Sequence, residues 1–282
     1  MTSVNKPLFE HTVVIVTMAC SLKCKLCILY VPYYRTPWHP TLDYLKETTD
    51  RAFAMGNYKI FEFNGGEALL RNDLPELLDH TLQYKDQAGV FKTVTNGTII
   101  PSNDLVYAWK QYGDKVHVIV NDYGDDLSPV SGEAVDKLRS AGISCELRKQ
   151  RPEDAHCNGW VDFRAGRQPR YATTEETEKV YSRCENAQKL KHCSNIIQGI
   201  LMPCHMQFQL RDRGILSPQS NEYIDLFDDS EPMEVKREKM AGIQKLKMLS
   251  ACRYCVGFDA ETVRCAPAVQ LTEEELRSIE RI

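Results

Sequence analysis

Five short runs rich in β-branched or aromatic residues alternate with helical stripes between Thr12 and Leu147, and this alternation constrains the fold more than any other feature. Thr12–Thr17, Tyr58–Phe63, Val90–Thr95, Val116–Val120 and Ile143–Leu147 read as strands. Between them Leu42, Leu45, Ala52 and Phe53, then Leu74, Leu77, Leu78, Thr81 and Leu82, recur at helical spacing. Asn72 and Asp73 stand where a cap belongs, and 104–111 and 132–140 complete the helical series. Strands separated by helices pair in parallel, because only a crossover of helical length returns the chain to the same end of a sheet. The expected fold is therefore α/β, with a parallel sheet, open or closed into a barrel, and helices outside. Ligands in such sheets gather at the carboxyl ends of the strands.

The rhythm stops after Arg148. Residues 149–171 are polar and Arg-rich, 173–192 look helical, 194–202 read as a hairpin turning at Gln198-Gly199, and 231–249 as a charged amphipathic helix. These changes divide the chain into a core over 1–170 and a second unit over 171–282. Hydrophobic residues make up 43% and charged residues 26%, enough to bury a full core, and the net charge is −4. No global field recruits nucleic acid or an anionic membrane, and no apolar run is long enough to span a bilayer. The apolar stretch 12–19 before Cys20 resembles a lipoprotein signal, but it is short, headed by Glu10 and His11, and reads better as a buried strand. A cytoplasmic location follows as the expectation.

Eleven cysteines are the loudest compositional feature. In a reducing compartment, clustered thiols read as metal ligands before disulfides. Cys20, Cys24 and Cys27 follow the first strand with the spacing C-x3-C-x2-C. Three thiolates on one loop can hold three irons of a four-iron cluster and leave the fourth open, as reactive sites require. Structural zinc would want a fourth ligand, for which His39 is the nearest candidate.

This triplet, placed at the end of a first strand, resembles the radical S-adenosylmethionine (SAM) superfamily. Asn64-Gly65-Gly66-Glu67 after the second strand is similar to its Gly-Gly-Glu motif, and Thr95-Asn96-Gly97 after the third to its Thr-Asn-Gly turn. Asn121-Asp122-Tyr123-Gly124 ends the fourth strand, where family members contact the SAM ribose or carboxylate. The residue before the third cysteine is usually aromatic in the family; here it is Leu26. The resemblance implies a partial (β/α)6 TIM-like barrel. It assigns Cys20, Cys24 and Cys27 to a 4Fe-4S cluster, and Gly65, Gly66, Glu67, Asn96, Asn121 and Asp122 to SAM. Glu67 would meet the methionine ammonium, and the two glycines would let backbone approach the ligand.

Cys184-x14-Gly199-x4-Cys204, with Cys193 on the other arm of the hairpin and Cys252-x2-Cys255 beyond, looks like the family's SPASM/twitch extension. That extension holds a second, auxiliary 4Fe-4S cluster. Five cysteines compete for four places: Cys193, Cys204, Cys252 and Cys255 form the cleanest pair of pairs, while Cys184 fits the family spacing better than Cys193. Zinc on the same thiolates is the alternative. Cys145 reads as a buried hydrophobe, and Cys265 and Cys157 as spare thiols able to return a hydrogen atom to a substrate radical. Tyr33, Tyr34, Trp38 and His39 could shield the cluster or simply pack. Arg148, Lys149, Arg151, Arg164, Arg167 and Arg170 could bind a phosphate or face solvent.

The resemblance thus implies an enzyme, oxidoreductase or epimerase in type. It would cleave SAM to a 5′-deoxyadenosyl radical that abstracts hydrogen from a small polyol, sugar or nucleotide-sugar, in dehydrogenation, epimerisation or dehydration. An external donor such as flavodoxin or ferredoxin would supply the electron. A maturase acting on a ribosomal peptide is the competing expectation. Only nineteen residues precede Cys20, fewer than a fused peptide-recognition domain needs. A non-catalytic metal-binding or redox-sensing protein is the third.

Overall fold

The computed structural model describes residues 6–151, 153–279 and 281. The strands are β1 (Leu8–Thr17), β2 (Asn57–Gly65), β3 (Ala88–Thr95), β4 (Val116–Asp122), β5 (Cys145–Lys149), β6 (Ser194–Ile197), β7 (Ile200–Met202) and β8 (Ile224–Asp225). The helices are α1 (Leu42–Met55), α2 (Leu74–Thr81), α3 (Asn103–Lys110), α4 (Ser131–Ser140), α5 (Thr174–Arg183), α6 (Glu185–Gln188), α7 (His205–Asp212), α8 (Met233–Ile243) and α9 (Glu273–Ser278).

All eight strands form one open sheet in the order β5-β4-β3-β2-β1-β6-β7-β8. The first five run parallel in chain order, as the alternation requires. The sixth parallel strand does not follow β5. It lies on the opposite edge of β1, with Thr12 facing Ser194 and Val14 facing Ile196, so the C-terminal part of the chain completes the curved sheet. β7 and β8 then continue antiparallel. Among the described residues no helix is long and apolar enough to cross a membrane.

Alternation along the strands separates two cores. Val14, Val16, Phe61, Phe63, Phe91 and Ile196 face outward and pack with Phe53, Leu77, Trp109 and Leu138 from the helices. Val13, Ile15 and Ile197 face the concave side, with Leu29, Met202 and Phe208. This concave side carries the candidate site.

Helix boundaries follow from side-chain caps. Thr41 accepts from Tyr44 N at the head of α1, Ser102 caps α3, and Thr173 forms a capping box with Glu176 at α5. Asp73 precedes α2 but makes no side-chain cap, because Arg71 holds its carboxylate with two bonds of 2.9 and 2.7 Å. The helical stretch expected over 173–192 is broken at Cys184, whose backbone is extended between α5 and α6. The helix expected to reach 249 stops at Ile243. The hairpin turns where expected, with Gln198 at φ 53° and Gly199 at φ 74°, both in the left-handed region that such turns demand.

Candidate functional site

A cavity of about 370 Å³ opens on the concave side at the carboxyl ends of the first four strands. Cys20, Cys24 and Cys27 all line it. Their loop leaves β1 and crosses the end of β2, and two glycines make that crossing possible. A Cβ on Gly65 would lie 2.1 Å from the Thr17 carbonyl oxygen, and one on Gly66 would lie 2.3 Å from that of Ala19. Gly66 N donates to Thr17 O and Glu67 N to Ala19 O, each at 2.8 Å. The close approach these glycines permit is thus between the two loops of the chain itself, while both residues also line the cavity.

Donors converge on the three thiols. Leu22 N donates to Cys20 Sγ at 3.4 Å, with Asn96 Nδ2 at 3.7 Å, and Gln270 Nε2 donates to Cys24 Sγ at 3.3 Å. Backbone N–H groups of Val31, Leu29 and Tyr30 point at Cys27. Burial pushes the free thiols up, Cys20 to about 11 and Cys24 to about 12. Ligation by iron would hold them instead as thiolates, for which these N–H donors are suited. His39 is not available as a fourth ligand: its Nδ1 is 2.8 Å from Thr17 Oγ1, and it does not line the cavity. Three thiols with surrounding N–H donors and, among the described residues, no local fourth ligand fit a cluster with one open iron.

The residues expected to meet SAM divide by strand parity. Asn96 and Asn121 line the cavity. Asn96 Nδ2 also donates to Ser21 Oγ at 2.9 Å, tying β3 to the cysteine loop. Asn121 Oδ1 is a buried acceptor with no partner among the described residues, which suits it to a ligand hydroxyl or ammonium. Asp122 points the other way, where Arg151 Nε and a second guanidinium nitrogen reach it at 3.1 and 3.2 Å. Glu67 is 1% exposed and outside the cavity lining. Its Oε1 accepts from Leu69 N at 2.9 Å and its Oε2 from Asn96 N at 2.7 Å. Burial raises its pKa, and those backbone donors oppose the rise. Glu67 is thereby placed as a staple between the ends of β2 and β3. Glu67→Ala is expected to strand two backbone donors at about 1–3 kcal/mol each. Calorimetry of the SAM-free protein should show a fall in Tm; an unchanged Tm with weaker SAM binding would instead put the carboxylate on the ligand.

The cavity's aromatic wall comes from Tyr123 and Trp160, whose rings meet edge-on at 5.8 Å. Burial raises the Tyr123 pKa, and the three nearby thiols raise it further. Leu26 does not line the cavity. The far wall is Phe163, Asn186, His205 and Phe258, all from beyond residue 160. His205 Nε2 is buried without a partner among the described residues, and burial lowers its pKa to about 4. None of these four stands out by spacing, because the pieces meet only in space.

The C-terminal cysteines separate into four and one. Burial drives the Cys204 thiol well above 9.0, and Cys255, Cys252 and Cys184 each push it further. Cys252 feels Cys255 and Cys184 in the same way, and Cys255 feels Cys184. These four are therefore close neighbours. Cys193 is not among them. It lines the main cavity, and its electrostatic neighbours are Glu62 and Lys92 of the barrel interior. Cys157 is exposed at a positive φ, and Cys265 forms a backbone bridge with Trp160; neither lines the cavity. Cys145 packs partly buried against the outer core. Among the described residues, no three His, Cys, Asp or Glu side chains converge on the position of a single metal ion.

The basic stretch does not gather at the cavity. Arg148 pairs with Glu146, Lys149 with Asp154, and Arg151 with Asp122 and Asp125, while Arg170 donates to the Tyr254 carbonyl. Tyr34 and Trp38 pack against the concave core, and Tyr33 OH donates to Lys25 O at 2.8 Å.

Comparison with known proteins agrees with this geometry. No curated protein matches the chain. Native anSMEcpe with bound AdoMet aligns over 86% of this chain and 84% of its own at 13% identity, with a TM-score of 0.53. BtrN in complex with AdoMet and 2-DOIA aligns over 94% of this chain and all of its own at 14% identity, with a TM-score of 0.52. Streptococcus suis SuiB bound to S-adenosylmethionine aligns over 50% of this chain at 15% identity and a TM-score of 0.39; the chain spans about a third of its length (32%). The Radical SAM superfamily model matches residues 14–150, the segment that runs from β1 through β5. Residues 14–150 thus resemble the Radical SAM superfamily, in a segment folded as a partial barrel.

Proposed function

We propose that the protein is a radical SAM enzyme acting on a small polyol, sugar or nucleotide-sugar, with an auxiliary iron–sulfur cluster on Cys184, Cys204, Cys252 and Cys255. The observation that carries this reading is the position of one cavity. Cys20, Cys24 and Cys27 line one side, while Asn186 and His205, two residues beyond Cys184 and one beyond Cys204, line the other. Cys20, Cys24 and Cys27 would hold a four-iron cluster, which would supply the one-electron reduction that splits SAM into methionine and a hydrogen-abstracting 5′-deoxyadenosyl radical. The chain's own part is to hold and orient. Asn121 offers an acceptor with no partner among the described residues, and Tyr123 and Trp160 offer aromatic faces. An iron–sulfur cluster held by the thiolates of Cys184, Cys204, Cys252 and Cys255, so near the cavity, would accept the further electron that a dehydrogenation requires.

A cavity of about 370 Å³ between the sheet and the C-terminal segment favours a small substrate. A peptide is the competing reading, and anSMEcpe, with this fold, has also been solved with AdoMet and a Cp18Cys peptide at a TM-score of 0.51. Anaerobic incubation of reduced, reconstituted protein with SAM and a panel of polyols, sugars, nucleotide-sugars and peptides decides between them. Coupled 5′-deoxyadenosine formation with peptides alone would overturn the small-substrate reading.

An epimerisation must return a hydrogen atom, and the spare thiol that lines the cavity is Cys193, in place of Cys265 or Cys157. Burial raises its pKa to about 12, so it stays protonated. Turnover in deuterated solvent should place one deuterium at the reacting carbon, and Cys193→Ala should lose that label while Cys157→Ala keeps it. An oxidised, unlabelled product unaffected by either substitution would assign dehydrogenation.

A further inference from the structure

The segment 265–272 lies across the cysteine loop, and Gln270 and Cys24, which meet there, are 246 positions apart in the chain. Lys25 N donates to Val269 O at 2.7 Å and Leu271 N to Lys23 O at 2.9 Å, so the two backbones bond on both sides of Cys24. Upstream, Cys265 N donates to Trp160 O at 2.7 Å and Trp160 N to Cys265 O at 2.9 Å, which ties the same segment to the aromatic wall of the cavity. Downstream, Glu275 of α9 pairs with Lys25. Between these anchors Ala268 is buried at φ 53°, a left-handed conformation that a residue with a Cβ adopts at a cost, and it packs against Leu22 and Cys24. The anchors hold this turn, and the turn carries Gln270 to the sulfur.

The Gln270 amide is fixed on both sides. Its Oε1 accepts from Lys23 N at 2.7 Å, and its Nε2 donates to Ala268 O and, at 3.3 Å, to Cys24 Sγ. A backbone N–H can only donate and a carbonyl can only accept, so the oxygen must face Lys23 and the NH2 group must face the sulfur. Cys20 and Cys27 take backbone donors from their own neighbourhood in the chain, Leu22 for the first and Leu29, Tyr30 and Val31 for the second. Cys24 takes its side-chain donor from the distant segment. Gln270 does not line the cavity, and it meets the site through Cys24.

We propose that Gln270 is a positioning residue that sets how readily a four-iron cluster on Cys20, Cys24 and Cys27 is reduced, by donating an N–H to the Cys24 thiolate. This role presupposes the radical SAM reading of the triplet. On reduction such a cluster would take up one electron, and its thiolate sulfurs would share the added negative charge. An N–H dipole aimed at one of those sulfurs stabilises the reduced form more than the oxidised one, and so raises the potential. Cys24 is 8% exposed, so water screens the dipole poorly and does not replace a donor that is removed. The segment that follows Cys255 would in this way tune a cluster held at the other end of the chain.

Potentiometric titration of the anaerobically reconstituted protein reads this role. The signal to follow is the paramagnetic resonance of the reduced cluster that changes when SAM is added, which separates it from any second cluster. Gln270→Met removes the donor and adds no charge. Its one-electron reduction constant should fall at least about threefold, a drop of about 30 mV at 59 mV per tenfold. Gln270→Glu keeps an acceptor for Lys23 N, which holds the loop, but sets a negative oxygen against the sulfur, and its potential should fall further. Glu275→Gln weakens the neighbouring anchor to Lys25 and leaves the amide–sulfur contact in place. It should lower the Tm of the metal-free protein and keep the wild-type potential. An unchanged potential in both Gln270 variants, or an equal fall in Glu275→Gln, would overturn the role assigned to the amide. Wild-type protein that gives no SAM-responsive signal at all would instead overturn the radical SAM reading, and this role with it.

Discussion

Cys24→Ala is expected to abolish reductive SAM cleavage and leave the protein folded. Cys24 is 8% exposed and belongs to a small satellite cluster with Leu22 and Ala268, apart from the main core of Phe53, Phe61, Phe91 and Trp109. Removing its sulfur costs the fold little, because the packed helix–sheet layer is untouched. It removes one of three ligands, and with it the cluster that leaves one iron open for SAM. After anaerobic reconstitution and dithionite reduction, 5′-deoxyadenosine measured by chromatography should fall to background. Circular dichroism should be unchanged. Full activity in Cys24→Ala, or equally in Cys20→Ala or Cys27→Ala, would sink the radical SAM reading of this chain.

The second large effect concerns iron content. Reconstituted protein is expected to carry about eight irons, four on each thiolate group. Alanine at any one of Cys184, Cys204, Cys252 or Cys255 should lower this to about four and loosen the C-terminal segment. Cys193→Ala should keep all eight. The contrast follows from the electrostatic neighbourhood: the four thiols act on one another, while Cys193 responds to Glu62 and Lys92. Iron retained in Cys184→Ala and halved in Cys193→Ala would exchange their roles. Zinc in place of the second four irons would turn the C-terminal group into a structural site.

Most of the barrel was legible because its signals are local. Each of the first five strands is a short run with its own periodicity, and Gln198-Gly199 is a turn by its chemistry alone. The cysteine triplet was legible for the same reason. The grouping of Cys184 with Cys204, Cys252 and Cys255 was not, because hairpin pairing set Cys193 opposite Cys204 while strand parity turns it away. Cys193, Asn195 and Ile197 share the concave face, two residues apart, so alternation carried a signal that spacing concealed. Parity separates Asn121 from Asp122 in the same manner. Helix α7 escaped notice because its buried face includes Gln207 and Gln209 beside Met206, Phe208 and Leu210, which hides the apolar stripe. Glu67 matched a motif whose acidic residue was expected on a ligand; its backbone partners are visible only once β2 and β3 lie side by side.

The seating of β6 against β1 bears on how this protein can be dissected. β1 has β2 on one side and β6 on the other, and six consecutive residues from Thr12 to Thr17 are buried. A fragment ending near residue 170 would keep every element of the matched segment yet leave the β6 side of β1 with unpaired backbone groups and a bare row of valine and isoleucine. Such a strand recruits another strand, so the fragment should self-associate and precipitate in place of folding as a minimal catalytic unit. Grafting a different C-terminal module onto this barrel would therefore require the newcomer to bring a parallel strand in the register of Thr12 with Ser194.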